Sequence, residues 1–203
     1  MARIEIDTPS GAARADLDRP GGAPRGLLAA GHGAGGGVDA PDLVAARDAA
    51  LAAGWAVARV TQPYRVAGGK VPARAPRLDE AWLAVVERLR DELGPLPLVA
   101  AGRSSGARVA CRTAAAAGAA GVACLAFPLR PPWRPEQTRL AELDAVPVPV
   151  LVVQGDRDPF GMPPRCPGRR IVAIAGADHS LRADPGAVAD AVTAFLAEVA
   201  PAG

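Results

Sequence analysis

The stretch Gly102-Arg103-Ser104-Ser105-Gly106 sets a serine between two glycines in the pattern G-x-S-x-G. That pattern marks a strained strand-to-helix turn that exposes a serine nucleophile. The chain carries four serines and 23 glycines among 203 residues, so chance supplies only about 0.05 such matches. The same reckoning gives about 0.3 for the dinucleotide-binding pattern G-x-G-x-x-G, which also occurs, at Gly31, Gly33 and Gly36. The serine turn therefore carries more weight than the glycine loop.

A serine hydroxyl is a weak nucleophile at neutral pH and needs a general base, usually a histidine held by a carboxylate. Only two histidines are present. His179 follows the apolar run "RIVAIAG" in "AGADHSL", and Asp158 follows "VPVLVVQG" in "QGDRDPF". The order Ser104, Asp158, His179 is that of α/β-hydrolases. The intervals of 54 and 21 residues leave room for crossovers between strands. Asp156 competes with Asp158 for the orienting role. Asp158 is favoured because it stands three residues after Gly155, and Asp156 then reads as a turn residue, since Asp readily caps its own turn.

The loop "GHGAGGG", residues 31–37, admits two readings. A dinucleotide fingerprint should be followed by an acidic residue about 20 positions on, but the next strand-like run offers Arg59 and Thr61 instead. An oxyanion loop needs glycines so that backbone N–H groups can approach a developing negative charge. That reading assigns one donor to the backbone N–H of Ala34 and the other to that of Ser105, at the start of a helix whose dipole favours an anion. His32 then fixes the loop by hydrogen bonds. Arg103 and Arg130 are candidates for attracting an anionic substrate.

These residues need elements to carry them. Apolar runs alternate with alanine-rich amphipathic runs, which predicts an α/β fold with a mostly parallel central sheet and helices on both faces. "ARIEID" reads as a short edge strand, and "RGLLAAG", "WAVARV", "PLVAAG", "GVACLAF", "VPVLVVQG" and "RIVAIAG" as buried strands. Helices are expected over 42–53, 77–93, 105–117 and 185–199. Residues 128–149 read as irregular, with one helical turn over 136–143. The candidate polar residues follow strand ends, where ligands bind in such sheets. The length suits one domain over 1–203 without a separate cap.

Composition narrows the class. Half the residues are apolar but aromatics make up only 3%, so the core must rest on Ala, Val and Leu. A net charge of +2 gives no electrostatic footprint for nucleic acid. The three cysteines are widely spaced and read as reduced thiols of a cytoplasmic protein. No secretory leader or membrane span is evident, so no membrane partner is expected. A monomer or small homo-oligomer is the expected state.

The blocks "LLAAGHGAGG", "QPYRVAGGKVPARAPRL…AW", "AGRSSGARVA", "FPL", "VLVVQGDRDPFG" and "ADHSL" together resemble the small α/β-hydrolase-like family of dienelactone-hydrolase type. That family includes a vertebrate testis-expressed hydrolase-like protein and a scaffold subunit of a histone acetyltransferase complex. Its elbow usually reads G-G-R-S-M-G-G-R; here Ala101, Ser105 and Ala107 depart from it, and Ser105 makes the pocket floor more polar. The resemblance implies acyl transfer on a small-molecule ester, thioester or lactone, through Ser104, His179 and Asp158, with neither metal nor organic cofactor. Phe127, Leu129, Trp133 and Phe160, which lie near strand ends, are candidates to line an apolar substrate site, and Tyr64 a candidate for its rim. The alternative is an interaction module that keeps the fold without the chemistry, as the scaffold relatives suggest.

Overall fold

The computed structural model describes residues 1–200. The chain opens with an antiparallel hairpin, β1 (Ala2–Thr8) and β2 (Gly11–Asp18). It continues through β3 (Leu27–Gly31), α1 (Pro41–Ala52), β4 (Ala56–Thr61), the short α2 (Pro63–Val66) and α3 (Ala75–Leu93). Then come β5 (Leu98–Arg103), α4 (Ser105–Thr113), β6 (Gly121–Leu125) and α5 (Leu140–Asp144). The last elements are β7 (Val150–Gly155), β8 (Arg169–Ile174) and α6 (Pro185–Val199). The eight strands form one sheet in the order β1-β2-β4-β3-β5-β6-β7-β8. The pairings from β4 to β8 are all parallel, and β2 runs antiparallel to both of its neighbours.

The central strands are apolar throughout because both faces are covered. Along β3, Leu27 and Ala29 enter one core while Leu28 and Ala30 enter the other. The same division runs through β5, with Leu98 and Ala100 against Val99 and Ala101, and through β7, with Val150 and Val152 against Leu151 and Val153. The first core is closed by α3 and α4. In α3 the buried Leu78, Ala81, Trp82, Val85, Val86 and Leu89 recur at helical spacing on one stripe. The second core is closed by α1 and α6, which pack on each other and bury Leu43, Ala46, Val188, Val192 and Phe195. Gly94 at φ 82° stops α3, and the Asp184 side chain caps α6 by accepting the Ala187 N–H at 2.9 Å.

Several boundaries differ from the sequence expectation. "ARIEID" is the edge strand, but it pairs with β2, which was not anticipated. α3 begins two residues earlier, at Ala75, with Pro76 in its first turn. α4 ends at Thr113, and residues 114–118 turn back to deliver Gly118 at φ 55°. The helical turn in the irregular stretch lies at Leu140–Asp144. Among the described residues no helix is long and apolar enough to cross a membrane.

After β3 the chain adds β4 on one side, and β5 then joins on the other. Strand order therefore reverses at β3/β5, and the crevice at the carboxyl ends of such a pair is where ligands bind. The loops leaving β3 and β5 are "GHGAGGG" and the serine turn.

Candidate active site

The serine turn is held by close backbone contact. Ser104 sits at φ 52°, ψ −109°, a conformation that costs a non-glycine residue about 1–3 kcal/mol and persists only where the surroundings over-determine it. The flanking glycines explain how. A Cβ on Gly102 would lie 2.3 Å from the Gly106 carbonyl carbon, and one on Gly106 would lie 2.3 Å from the Gly31 oxygen. β5, α4 and the end of β3 thus approach more closely than any side chain permits. The Ser104 N–H donates to the Leu125 carbonyl at 2.9 Å, tying the turn to β6 as well.

His179 reaches Ser104 from the loop after β8. Its Nε2 is 2.9 Å from Ser104 Oγ, and its Nδ1 is 2.8 Å from Asp158 Oδ2. An ionised carboxylate only accepts, so Nδ1 carries the proton and Nε2 is free to accept the serine O–H. Asp158 is nearly buried, and its other oxygen accepts the Phe160 N–H at 2.9 Å. Asp156 instead accepts the Gly176 N–H at 2.8 Å and serves as the turn residue. The acid loop and the histidine loop also touch without room for a Cβ, since one on Gly155 would lie 2.3 Å from the Ala177 oxygen.

Two further residues hold this constellation. Gln154, fully buried on β7, donates through Nε2 to Asp158 Oδ2 at 2.8 Å and lies within reach of the Gly161 and Phe127 carbonyls. Three oxygens around Nε2 fix the orientation of the amide and leave Oε1 without a partner among the described residues. A polar residue ending an apolar strand next to an acid loop was the signal that could have found it. Arg103 donates from Nη2 to the His179 carbonyl at 2.9 Å, and its Nε lies 3.0 Å from Asp42 Oδ2. Arg103 is therefore a brace between the serine turn, α1 and the histidine loop, rather than an anion trap. Burial pushes the Asp42 carboxyl up from its ordinary value, and Arg103 opposes that shift. Arg130 remains exposed on the surface.

The glycine loop folds back onto the serine turn. A Cβ on Gly33 would lie 2.8 Å from the Arg103 guanidinium and 3.6 Å from Ser104 Cβ. The buried His32 ring accepts the Gln62 N–H at Nε2 (3.1 Å), so its Nδ1–H donates to the Gly33 carbonyl at 2.8 Å. Burial lowers its pKa and keeps the ring neutral. Gly36 also donates to the Gly33 oxygen, at 3.2 Å. With that carbonyl fixed, the trans Ala34 N–H on the opposite edge of the same peptide is fixed too. Among the described residues it has no acceptor, and neither has the Ser105 N–H at the first position of α4. Ala34, Ser104 and Ser105 all line one cleft of about 280 Å³.

The structure sorts the expected lining residues into two groups. Phe160 and Trp133 line the cleft; Phe160 stacks on the His179 ring with centroids 4.4 Å apart, and Trp133 meets Phe160 edge-on at 6.0 Å. Phe127 and Leu129 are buried in the first core. Tyr64 lines a neighbouring cavity and donates its hydroxyl to the Ala34 carbonyl at 2.7 Å, so it braces the glycine loop.

Comparison with known proteins agrees with this architecture. The family model of the alpha/beta hydrolase domain matches residues 24–195. Est1E from Butyrivibrio proteoclasticus is similar, with a TM-score of 0.81 at 19% identity, over 98% of this chain and 99% of that one. A lidless a/b serine hydrolase from Xanthomonas campestris has a TM-score of 0.79 at 20% identity, over 100% and 96% of the two chains. Dienelactone hydrolase from Anabaena variabilis has a TM-score of 0.73 at 19% identity, over 97% and 96%. No curated protein matches the chain.

Proposed function

Since the chain belongs to the alpha/beta hydrolase family, we propose that it is a cofactor-free serine hydrolase acting on a small ester, thioester or lactone. The observation that carries this reading is the unbroken path from Ser104 Oγ through the His179 ring to Asp158, assembled from three separate strand ends. Within the family, the resemblance of the Tyr64–Trp82 block and the serine turn supports a reading as a dienelactone-hydrolase-type member.

In this mechanism Ser104 Oγ attacks the substrate carbonyl carbon as His179 Nε2 takes its proton, and Asp158 stabilises the imidazolium that forms. The carbonyl oxygen becomes an oxyanion, which accepts from the N–H groups of Ala34 and Ser105. Collapse breaks the bond to the leaving alcohol or thiol, which receives the proton from His179. Water then attacks the acyl-enzyme with His179 again as base, and the carboxylic acid departs. Without a lid the cleft is open, which suits small substrates.

The test is intact-mass labelling with a fluorophosphonate, followed by hydrolysis of 4-nitrophenyl esters. One adduct on the native protein, absent from Ser104→Ala, is expected, together with a loss of turnover of about 10⁴-fold or more. The thermal midpoint of the variant should stay within a few degrees. A folded native protein that takes no adduct and hydrolyses no ester would overturn the reading.

A further inference from the structure

We propose that the α4–α5 wall of the cleft is a carboxylate subsite, so that the preferred substrate is an ester bearing a second, anionic end. The proposal rests on the serine hydrolase reading above. Three guanidinium groups line this cleft: Arg108, Arg112 and Arg139. Arg108 and Arg112 follow Ser104 by one and two helical turns and share a face of α4. Two carboxylates face them. Arg108 forms a bidentate pair with Glu142 at 2.6 and 2.8 Å. Arg112 forms one with Asp79 at 2.6 and 2.8 Å and lies 3.4 Å from Glu142.

Arg139 is left over. Its Nη1 donates to the Pro128 carbonyl at 2.8 Å, and among the described residues it has no carboxylate partner. A guanidinium has five N–H donors in a planar fork, so most of its donors are unspent. Burial and the repulsion of Arg108 push its pKa down from the ordinary arginine value. Three cations against two anions leave one positive charge in a cleft whose other walls include the apolar Phe160, Trp133, Pro128 and Leu78. A carboxylate matches that fork in shape and charge. Ser104 and Arg139 line the same cleft of about 280 Å³, so a short aliphatic spacer would join the anion to the scissile carbonyl. The ion pairs among α3, α4 and α5 account for Arg108 and Arg112 as architecture; they do not account for Arg139.

The experiment compares 4-nitrophenyl hydrogen adipate with its methyl ester, two substrates that share leaving group and scissile bond and differ in the distal charge. Nitrophenol release and acylation of Ser104 by intact mass are followed together. The native protein should prefer the acid by about tenfold in kcat/KM, as a charge-assisted hydrogen bond supplies. That ratio should shrink as salt is raised. In Arg139→Gln the ratio should fall towards one, and Arg139→Lys should keep part of it; taking the ratio within each variant cancels any general loss of activity. A native ratio of one, or a ratio that Arg139→Gln leaves unchanged, overturns the subsite. Fluorophosphonate labelling of Ser104 without acylation by the anionic ester also overturns the subsite and spares the hydrolase reading. Absence of both labelling and acylation overturns the hydrolase reading itself.

Discussion

The two sides of the cleft are built by different means. On one side β3, β5, β7 and the first turn of α4 bring Gly31, Gly102, Gly155 and Gly106 so close to neighbouring backbone that no Cβ fits at the last three. On the other side α4 and α5 meet through long arginine and glutamate side chains whose heads are partly exposed. The first construction fixes the positions of Ser104, His179 and Asp158 with little freedom to adjust. The second can change charge or reach by a single substitution without moving backbone. The proposed chemistry falls where the fold is least tolerant, and the proposed recognition where it is most so.

The sharpest way to break this contrast is Gly106→Val. Its Cβ would meet backbone of Gly31 and His32, and the variant should lose about 3 kcal/mol or more in a denaturant titration. A loss below 1 kcal/mol (roughly what a surface site costs) would show that the glycine seam yields.

Next comes Arg103→Gln. It strands the buried Asp42 carboxylate, and breaking such a pair costs about 3–5 kcal/mol when the remaining charge cannot be neutralised. Here it can. Asp42 is raised above its unfolded value by burial, so the folded state binds more protons and stability declines as pH rises through that window. Removing the opposing cation widens the window upward. The deficit of Arg103→Gln, measured by urea unfolding, should therefore be smaller at pH 5 than at pH 8; an equal deficit would refute the pairing.

His32→Gln should act more mildly. The folded His32 pKa lies below its ordinary value, so the unfolded state binds more protons and stability falls as pH drops through about 6.5, the unperturbed histidine value. Gln can still accept the Gln62 N–H, and the variant should lose part of this acid slope; an unchanged slope between pH 7 and 5 would exclude His32 as its source.

The smallest effect on stability belongs to the recognition side. Trp133 is 72% exposed, so Trp133→Ala should change unfolding free energy by about 0.5 kcal/mol or less while raising KM. A large destabilisation would make Trp133 a structural anchor.

The legibility of the sequence follows the same division. Ser104, Asp158 and His179 could be read because their signals are local: glycines around a turn, and polar residues directly after apolar runs. The parallel strands were equally plain. β2 was hidden because its buried apolar residues are Ala13, Ala15 and Leu17, interleaved with Arg14, Asp16 and Asp18, and small alanines make a weak alternating pattern. The Arg103–Asp42 and Arg108–Glu142 pairs were out of reach because each joins residues distant in sequence, and charge alone does not choose partners. Tyr64 and Leu129 were placed near the substrate by position along the chain, but packing turns one to the glycine loop and buries the other.

The exposure of Trp133 has a practical consequence. Of the three tryptophans in the chain, Trp55 and Trp82 are each 1% exposed. Steady-state emission from a folded sample therefore combines two shielded indoles with one bathed in solvent. A soluble quencher such as acrylamide will act almost entirely on Trp133, beside the Phe160 ring that covers His179. The molecule thus carries its own optical reporter at the rim of the cleft, able to register an occupant that is never turned over.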